Sequence, residues 1–146
     1  MKLGARAPEP PNRKPSEVTD VYWLYAERKS GVYPAHTARG GKWLIFVPAQ
    51  QIDDVWEKIA LATEQGILGG SAKVATAKPN LNAVDPNKRV ICVYTYDWTD
   101  EEDVRRVRQA LRELGITWKI PYKADEDTYA GRYQKRGDRR ISKYYE

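Results

Sequence analysis

The run Arg89-Val90-Ile91-Cys92-Val93-Tyr94-Thr95-Tyr96-Asp97, closely followed by Thr99-Asp100-Glu101-Glu102-Asp103, decides the fold class. The first stretch is dense in β-branched and aromatic residues and reads as a strand. The second opens a helix: Thr99 caps it, and Glu102 three residues on completes a capping box. Acids fill its first turn and Arg105, Arg106, Arg108 and Arg112 follow, as the helix dipole favours. Val104, Val107, Leu111 and Leu114 recur at helical spacing as a buried stripe, and Gly115 ends the helix. The four arginines then read as an ordinary solvated face rather than a nucleic-acid surface.

Working outward, 42–47 is a near-continuous apolar run closed by Pro48, which predicts a central strand buried on both faces. A helix is expected over 52–65, with Asp53 and Asp54 in its first turn, Val55, Ile59 and Ala62 on its inner face, and Gly66 as its stop. The segment 72–76 alternates as a strand. Residues 77–88 are a loop by their Pro and Asn content. Residues 117–120 read as a strand ended by Pro121. The stretch 21–25 is either a strand or a short helix. At the end of the chain, a hairpin-like return is expected, with Gly137-Asp138 at the turn and 141–145 as a last strand. Strands outnumber helices, and hairpin-like links alternate with helical crossovers. The expected class is α+β: a curved, mainly antiparallel sheet backed by helices on one face.

A length of 146 residues suits one domain. Residues 1–16 hold Pro8, Pro10, Pro11 and Pro15 among basic and small residues. They are expected to form a disordered, basic, Pro-rich arm, with a single domain over 17–146. The single cysteine, Cys92, excludes an internal disulfide and a Cys-based zinc site, and points to the cytoplasm. No apolar run is long enough to span a bilayer, so no membrane partner is expected. No metal and no cofactor are expected. Gly40-Gly41-Lys42 is not a phosphate-binding P-loop, since the spaced glycine and the following Ser or Thr are missing.

The net charge of +5 favours polyanions. Five Trp and ten Tyr against one Phe supply rings with a polar handle, suited to grooves as well as to cores. Basic residues recur beside strand ends: Lys42, Lys73, Arg89 and Lys123, with Arg132 in the following loop. If the strands share a sheet, these side chains converge and hold a phosphate; singly, each would only extend from a strand end into water. His36, the sole histidine, lies in a Gly-rich loop just before Lys42.

Several motifs together resemble a known family: Gly41-Lys42-Trp43-Leu44-Ile45-Phe46; the helix bearing Asp53, Trp56 and Ile59; Gly66-Ile67-Leu68-Gly69 before Ala72-Lys73-Val74; Val90-Ile91-Cys92-Val93-Tyr94; Gly115-Ile116; and Tyr122-Lys123-Ala124-Asp125 with Thr128, Gly131 and Tyr133. Over about 20–133 they resemble the uncharacterised family of the basophilic leukemia-expressed protein. The resemblance implies the fold of the cap-binding translation initiation factor 4E, with a ligand groove on the concave side of the sheet. Prokaryotic members are sometimes labelled phosphothreonine lyases.

Three functions follow. The first is a binding module for a phosphate-bearing ligand, a nucleotide or single-stranded RNA, held by Lys42, Lys73, Arg89, Lys123 and Arg132. The second is a small lyase removing phosphate from phosphothreonine-type substrates, with His36 and Lys42 as catalytic groups. The third is a protein-interaction scaffold without a small ligand. Asp125 and Asp127 read as residues of a turn.

Overall fold

The computed structural model describes residues 13–79, 87–129 and 142–146. The strands are β1 (Trp23–Glu27), β2 (Gly41–Pro48), β3 (Ser71–Ala75), β4 (Lys88–Thr95), β5 (Pro121–Ala124) and β6 (Ser142–Tyr145). The helices are α1 (Ile52–Glu64), α2 (Glu101–Glu113) and the one-turn α3 (Asp125–Tyr129). The six strands form one sheet in the order β1-β3-β4-β2-β5-β6, and each neighbouring pair is antiparallel. The fold is the expected α+β class with a curved open sheet.

Topology explains why both long helices back the same face. The crossover β2-α1-β3 moves one way across the sheet. The crossover β4-α2-β5 starts from a strand of opposite direction and moves the opposite way. Two right-handed crossovers related in this manner lie on the same side. Below them, Leu24, Ala72, Val74, Ile91, Val93, Trp43, Ile45 and Tyr122 form one core with Ile59, Val104, Val107 and Leu111. Each fully buried Val, Leu or Ile in that core contributes about 1.5–3 kcal/mol. Trp43 sits under α2, where its indole N–H donates to the Val104 carbonyl at 3.1 Å. Its ring meets Tyr122 edge-on at 5.2 Å. Gly41 is required here, because a Cβ at that position would fall 2.5 Å from the Tyr122 ring.

Both helices stop as the glycines dictate. Gly66 and Gly115 have φ of 79° and 101°. In each case the following residue donates back to the helix, Ile67 to Ala62 and Ile116 to Leu111, each at 3.0 Å.

Several expectations are corrected. The α2 cap is Asp100, whose carboxylate accepts from Asp103 N at 3.1 Å. Thr99 instead donates its hydroxyl to Asp97. β2 is fully buried on one face, while the other grades from Lys42 at 9% exposure through half-buried Leu44 to Phe46 at 47%. The segment 117–120 is not a strand, and β5 begins at Pro121. The reason is Arg108, which is 1% exposed. Its guanidinium takes the carbonyls of Ile116 (2.9 Å), Trp118 (2.7 Å) and Glu146 (2.7 Å), so the first two are lost to any ladder. Arg108 therefore belongs to the interior, whereas Arg105 and Arg106 pair with Glu146, Glu101 and Asp103 on the surface.

The undecided stretch near 21–25 resolves into strand β1. Pro15–Glu17 form a single 3-10 turn with Pro15 buried, and Ser16 N donates to Asp53 at 2.9 Å. Residues 1–12 of the proposed arm, the Gly137-Asp138 turn and Ile141 lie outside the described residues. No helix among those residues is long and apolar enough to cross a membrane.

Candidate functional site

The face away from α1 and α2 carries the side chains that alternate with the core. Register fixes who meets whom. Tyr25, Lys73, Cys92 and Leu44 form one row across β1, β3, β4 and β2. Tyr94, Lys42 and Lys123 form the next, across β4, β2 and β5. Trp23 and Phe46 lie on the same face, two residues from Tyr25 and Leu44.

Lys42 and Lys123 stand side by side, each 9% exposed. Lys42 Nζ donates to Asp125 Oδ1 at 2.8 Å. Asp125 opens α3, and its backbone N–H is held by the Gly40 carbonyl at 2.9 Å. Its other oxygen, Oδ2, lies 2.8 Å from His36 Nε2. One carboxylate thus joins the sole histidine to a strand lysine. Burial, then the neighbouring Lys42 ammonium, pushes the Lys123 proton affinity down, and Asp127 partly opposes this. Asp127 is itself buried, with Lys143 Nζ at 3.7 Å. The Cys92 thiol, at 4% exposure, is pushed up to about 11 by burial, against the pull of Lys73 and Lys42.

The loop between β1 and β2 positions His36. Thr37 N bonds the Tyr96 carbonyl at 2.9 Å. Thr37 and Arg39 both donate to Asp97, at 3.0 Å each. Burial raises the Asp97 pKa, but bonds from Thr99, Arg39 and Thr37 outweigh it and hold the carboxyl near 2. Tyr33 donates to Asp103 at 2.6 Å, and burial followed by that bond pushes its pKa up. Gly40 lets the loop close: a Cβ there would lie 1.8 Å from His36 Nε2. The same loop roofs a cleft of about 220 Å³ lined by Tyr33, His36, Gly70, Tyr94 and Tyr96. Tyr94 is both the wall of this cleft and the register partner of Lys42, so cleft and lysine pair are contiguous.

Of the residues singled out in the sequence, Lys42, Lys123 and His36 come together. Lys73 lies on the same face, with its ammonium 3.9 Å from the Trp23 ring centroid. Arg89 does not join them. It lies five residues down β4 from Tyr94, about 17 Å at strand spacing. It also falls in the opposite register, paired with core-facing Val47, and donates to the Lys88 carbonyl at 3.2 Å. Arg132 lies outside the described residues. Sequence reasoning missed Asp125, read as a turn residue. It also missed the Tyr33 and Tyr94 cleft. The only signal for Asp125 was an acid two residues beyond Lys123 in a chain with one histidine. Among the described residues no group of three His, Cys, Asp or Glu side chains is placed to hold a metal.

The model of the Basophilic leukemia-expressed protein Bles03 family matches residues 34–131. Among solved structures, Schistosome eIF4E complexed with m7GpppA and 4E-BP is similar, with a TM-score of 0.55 at 18% identity over 74% of this chain and 59% of that one. The same protein with m7GpppG and 4E-BP gives 0.54 at 20%, with the same coverage. The C. elegans eIF4E-3 complex with Mextli and a cap analog gives 0.53 at 24%, over 74% and 65%. At these identities the likeness is one of fold. The chain spans about three fifths of the length of these proteins.

Proposed function

This chain belongs to the Basophilic leukemia-expressed protein Bles03 family, and from that premise we propose that it binds a phosphate-bearing ligand of the nucleotide class on the open face of its sheet. The observation that carries this is the lysine pair. Lys42 and Lys123 are register partners, nearly buried, and burial and then Lys42 lower the proton affinity of Lys123. An anion bridging the two ammonium groups relieves that repulsion and adds charge-assisted hydrogen bonds. Beside the pair, the tyrosine-lined cleft offers a ring-sized space against which a base stacks. The fold neighbours were solved with m7GpppG, m7GpppA and a cap analog, which makes a nucleotide the first ligand to try.

The test is a fluorescence titration with GTP and m7GpppG at low salt. Binding is expected, weakening as salt rises, with a log–log slope of about −1 to −2 for two phosphate contacts. Lys42→Gln and Lys123→Gln should each weaken it about tenfold, the loss of one charge-assisted bond. Absence of binding at low salt overturns the proposal.

One observation favours a second reading, a phosphate-eliminating lyase. Burial and then Lys42 loosen the proton of Lys123, and His36 is oriented by Asp125. In such a reaction Lys123 takes the α-proton, the carbon–oxygen bond to phosphate breaks, a double bond forms, and protonated His36 delivers its proton to the leaving phosphate. A phosphothreonine peptide would leave a dehydrated product by mass spectrometry. Threonine as product, or no change, excludes it.

A further inference from the structure

The lysine pair occupies only one corner of the open face. The rest carries Trp23, Tyr25, Lys73, Leu44, Phe46 and Val90. Tyr25 is 40% exposed and Phe46 47%, so the chain places its one phenylalanine half in water. Among the described residues neither long helix packs here, and α3 sits only at the corner beside β2 and β5. From Tyr25 on β1 to Lys123 on β5 is four strand spacings, about 19 Å. That is more than one nucleotide covers.

Resting on the reading above, we infer that the ligand is single-stranded RNA, with one nucleotide at the Lys42–Lys123 corner and the following bases laid across the sheet over Phe46, Trp23 and Tyr25. The chemistry of the face selects this occupant. Rings and cations are interleaved rather than segregated: Lys73, on β3 between Tyr25 of β1 and Cys92 of β4, holds its ammonium 3.9 Å from the Trp23 centroid. An exposed sheet face with rings for bases and ammonium groups for phosphates is the arrangement that binds unpaired strands without need of base-specific contacts. A protein partner of similar footprint would bury a core depleted in charge, whereas this footprint includes Lys73, one strand in from the β1 edge, and the lysine pair at its corner. Among the described residues the acids at this face are Glu27, diagonal to Lys73 across β1 and β3, and Asp125 and Asp127 at the lysine corner.

Anisotropy titrations with fluorescein-labelled oligouridylates of two, four, six and eight nucleotides, alongside GTP, test this at low salt. Affinity is expected to climb with length until the face is filled, then to level. Tyr25→Ala and Phe46→Ala should each weaken the eight-mer about 5- to 100-fold, the loss of one stacked base, while GTP affinity stays as in the wild type. Lys73→Gln should weaken the eight-mer and reduce its salt dependence by close to one ion. If GTP binds but the oligonucleotides gain nothing with length, or if the three substitutions leave the eight-mer unchanged, the RNA path is wrong and the nucleotide site stands. If neither GTP nor any oligonucleotide binds, the underlying reading falls with it.

Discussion

Replacing Asp125 with Asn separates two jobs that one carboxylate performs. In the wild type, Lys42 Nζ and Asp125 Oδ1 are 2.8 Å apart, with side chains 11% and 13% exposed. At an effective dielectric near 20 the gross attraction is about 6 kcal/mol. Desolvation cancels much of it. Exposed pairs are worth about 0–1 kcal/mol, and stripping one partner from a buried pair costs about 3–5 kcal/mol. This pair lies close to the buried limit, and Asn keeps one acceptor for the lysine, so the expected loss is about 2–3 kcal/mol. At about 2–4 °C per kcal/mol that is a fall in Tm of roughly 5–10 °C. Ligand affinity should move the other way. A carboxylate about 7 Å from a bound phosphate repels it by about 1–2 kcal/mol, so its removal tightens binding about tenfold. Thermal unfolding by circular dichroism and a GTP titration on the same sample measure both. An unchanged Tm would mean that the pair is effectively solvated. Weakened binding would mean that Asp125 is itself a ligand contact, and the lysine pair would lose its role as the anion site.

Other predictions concern the frame around the site. Arg108→Met leaves the carbonyls of Ile116 and Trp118 without their donor and takes one of two from Glu146, which keeps the Ile120 N–H; after the recovered desolvation of the guanidinium, a net loss of about 2–4 kcal/mol is expected in urea unfolding. The Cys92 thiol, buried and pushed up to about 11, should resist alkylation at pH 8 in the native state and react at once in denaturant. Asp97 is held near 2 in the fold, below its usual 3.8. Its contribution is therefore complete above pH about 4 and is lost as pH falls toward 2; Asp97→Asn should flatten that limb of an acid-unfolding curve. Gly40→Ala drives a methyl into the His36 ring and should free the histidine from Asp125, seen as displaced imidazole and Asp125 resonances by NMR.

Much of this frame was legible because its signals are local. The strand 88–95 and the helix after it follow from β-branched density, an acid-rich first turn and the glycine stop at Gly115. What was missed depends on partners distant in sequence. Arg108 sits four residues after Val104 and three before Leu111, on the buried stripe, yet a charged residue there reads as solvated until the carbonyls it serves are placed. β5 is four residues between Ile120 and an acidic turn, with no pattern of its own; it exists because β2 and β6 flank it. Asp125 became meaningful only through the β2–β5 register, which brings it to Lys42, 83 residues away. The cleft needs Tyr33 and Tyr94 from separate elements, and neither is marked in sequence by more than being one tyrosine of ten.

The most direct test of the nucleotide site is a ¹⁵N-resolved NMR titration of the full chain with GTP at low salt. The largest shifts are expected on Lys42, Tyr94, Lys123 and Asp125 and on the loop bearing His36, with α1 and the outer face of α2 unmoved. Shifts confined to the helical face, or none at all at millimolar GTP, would contradict it.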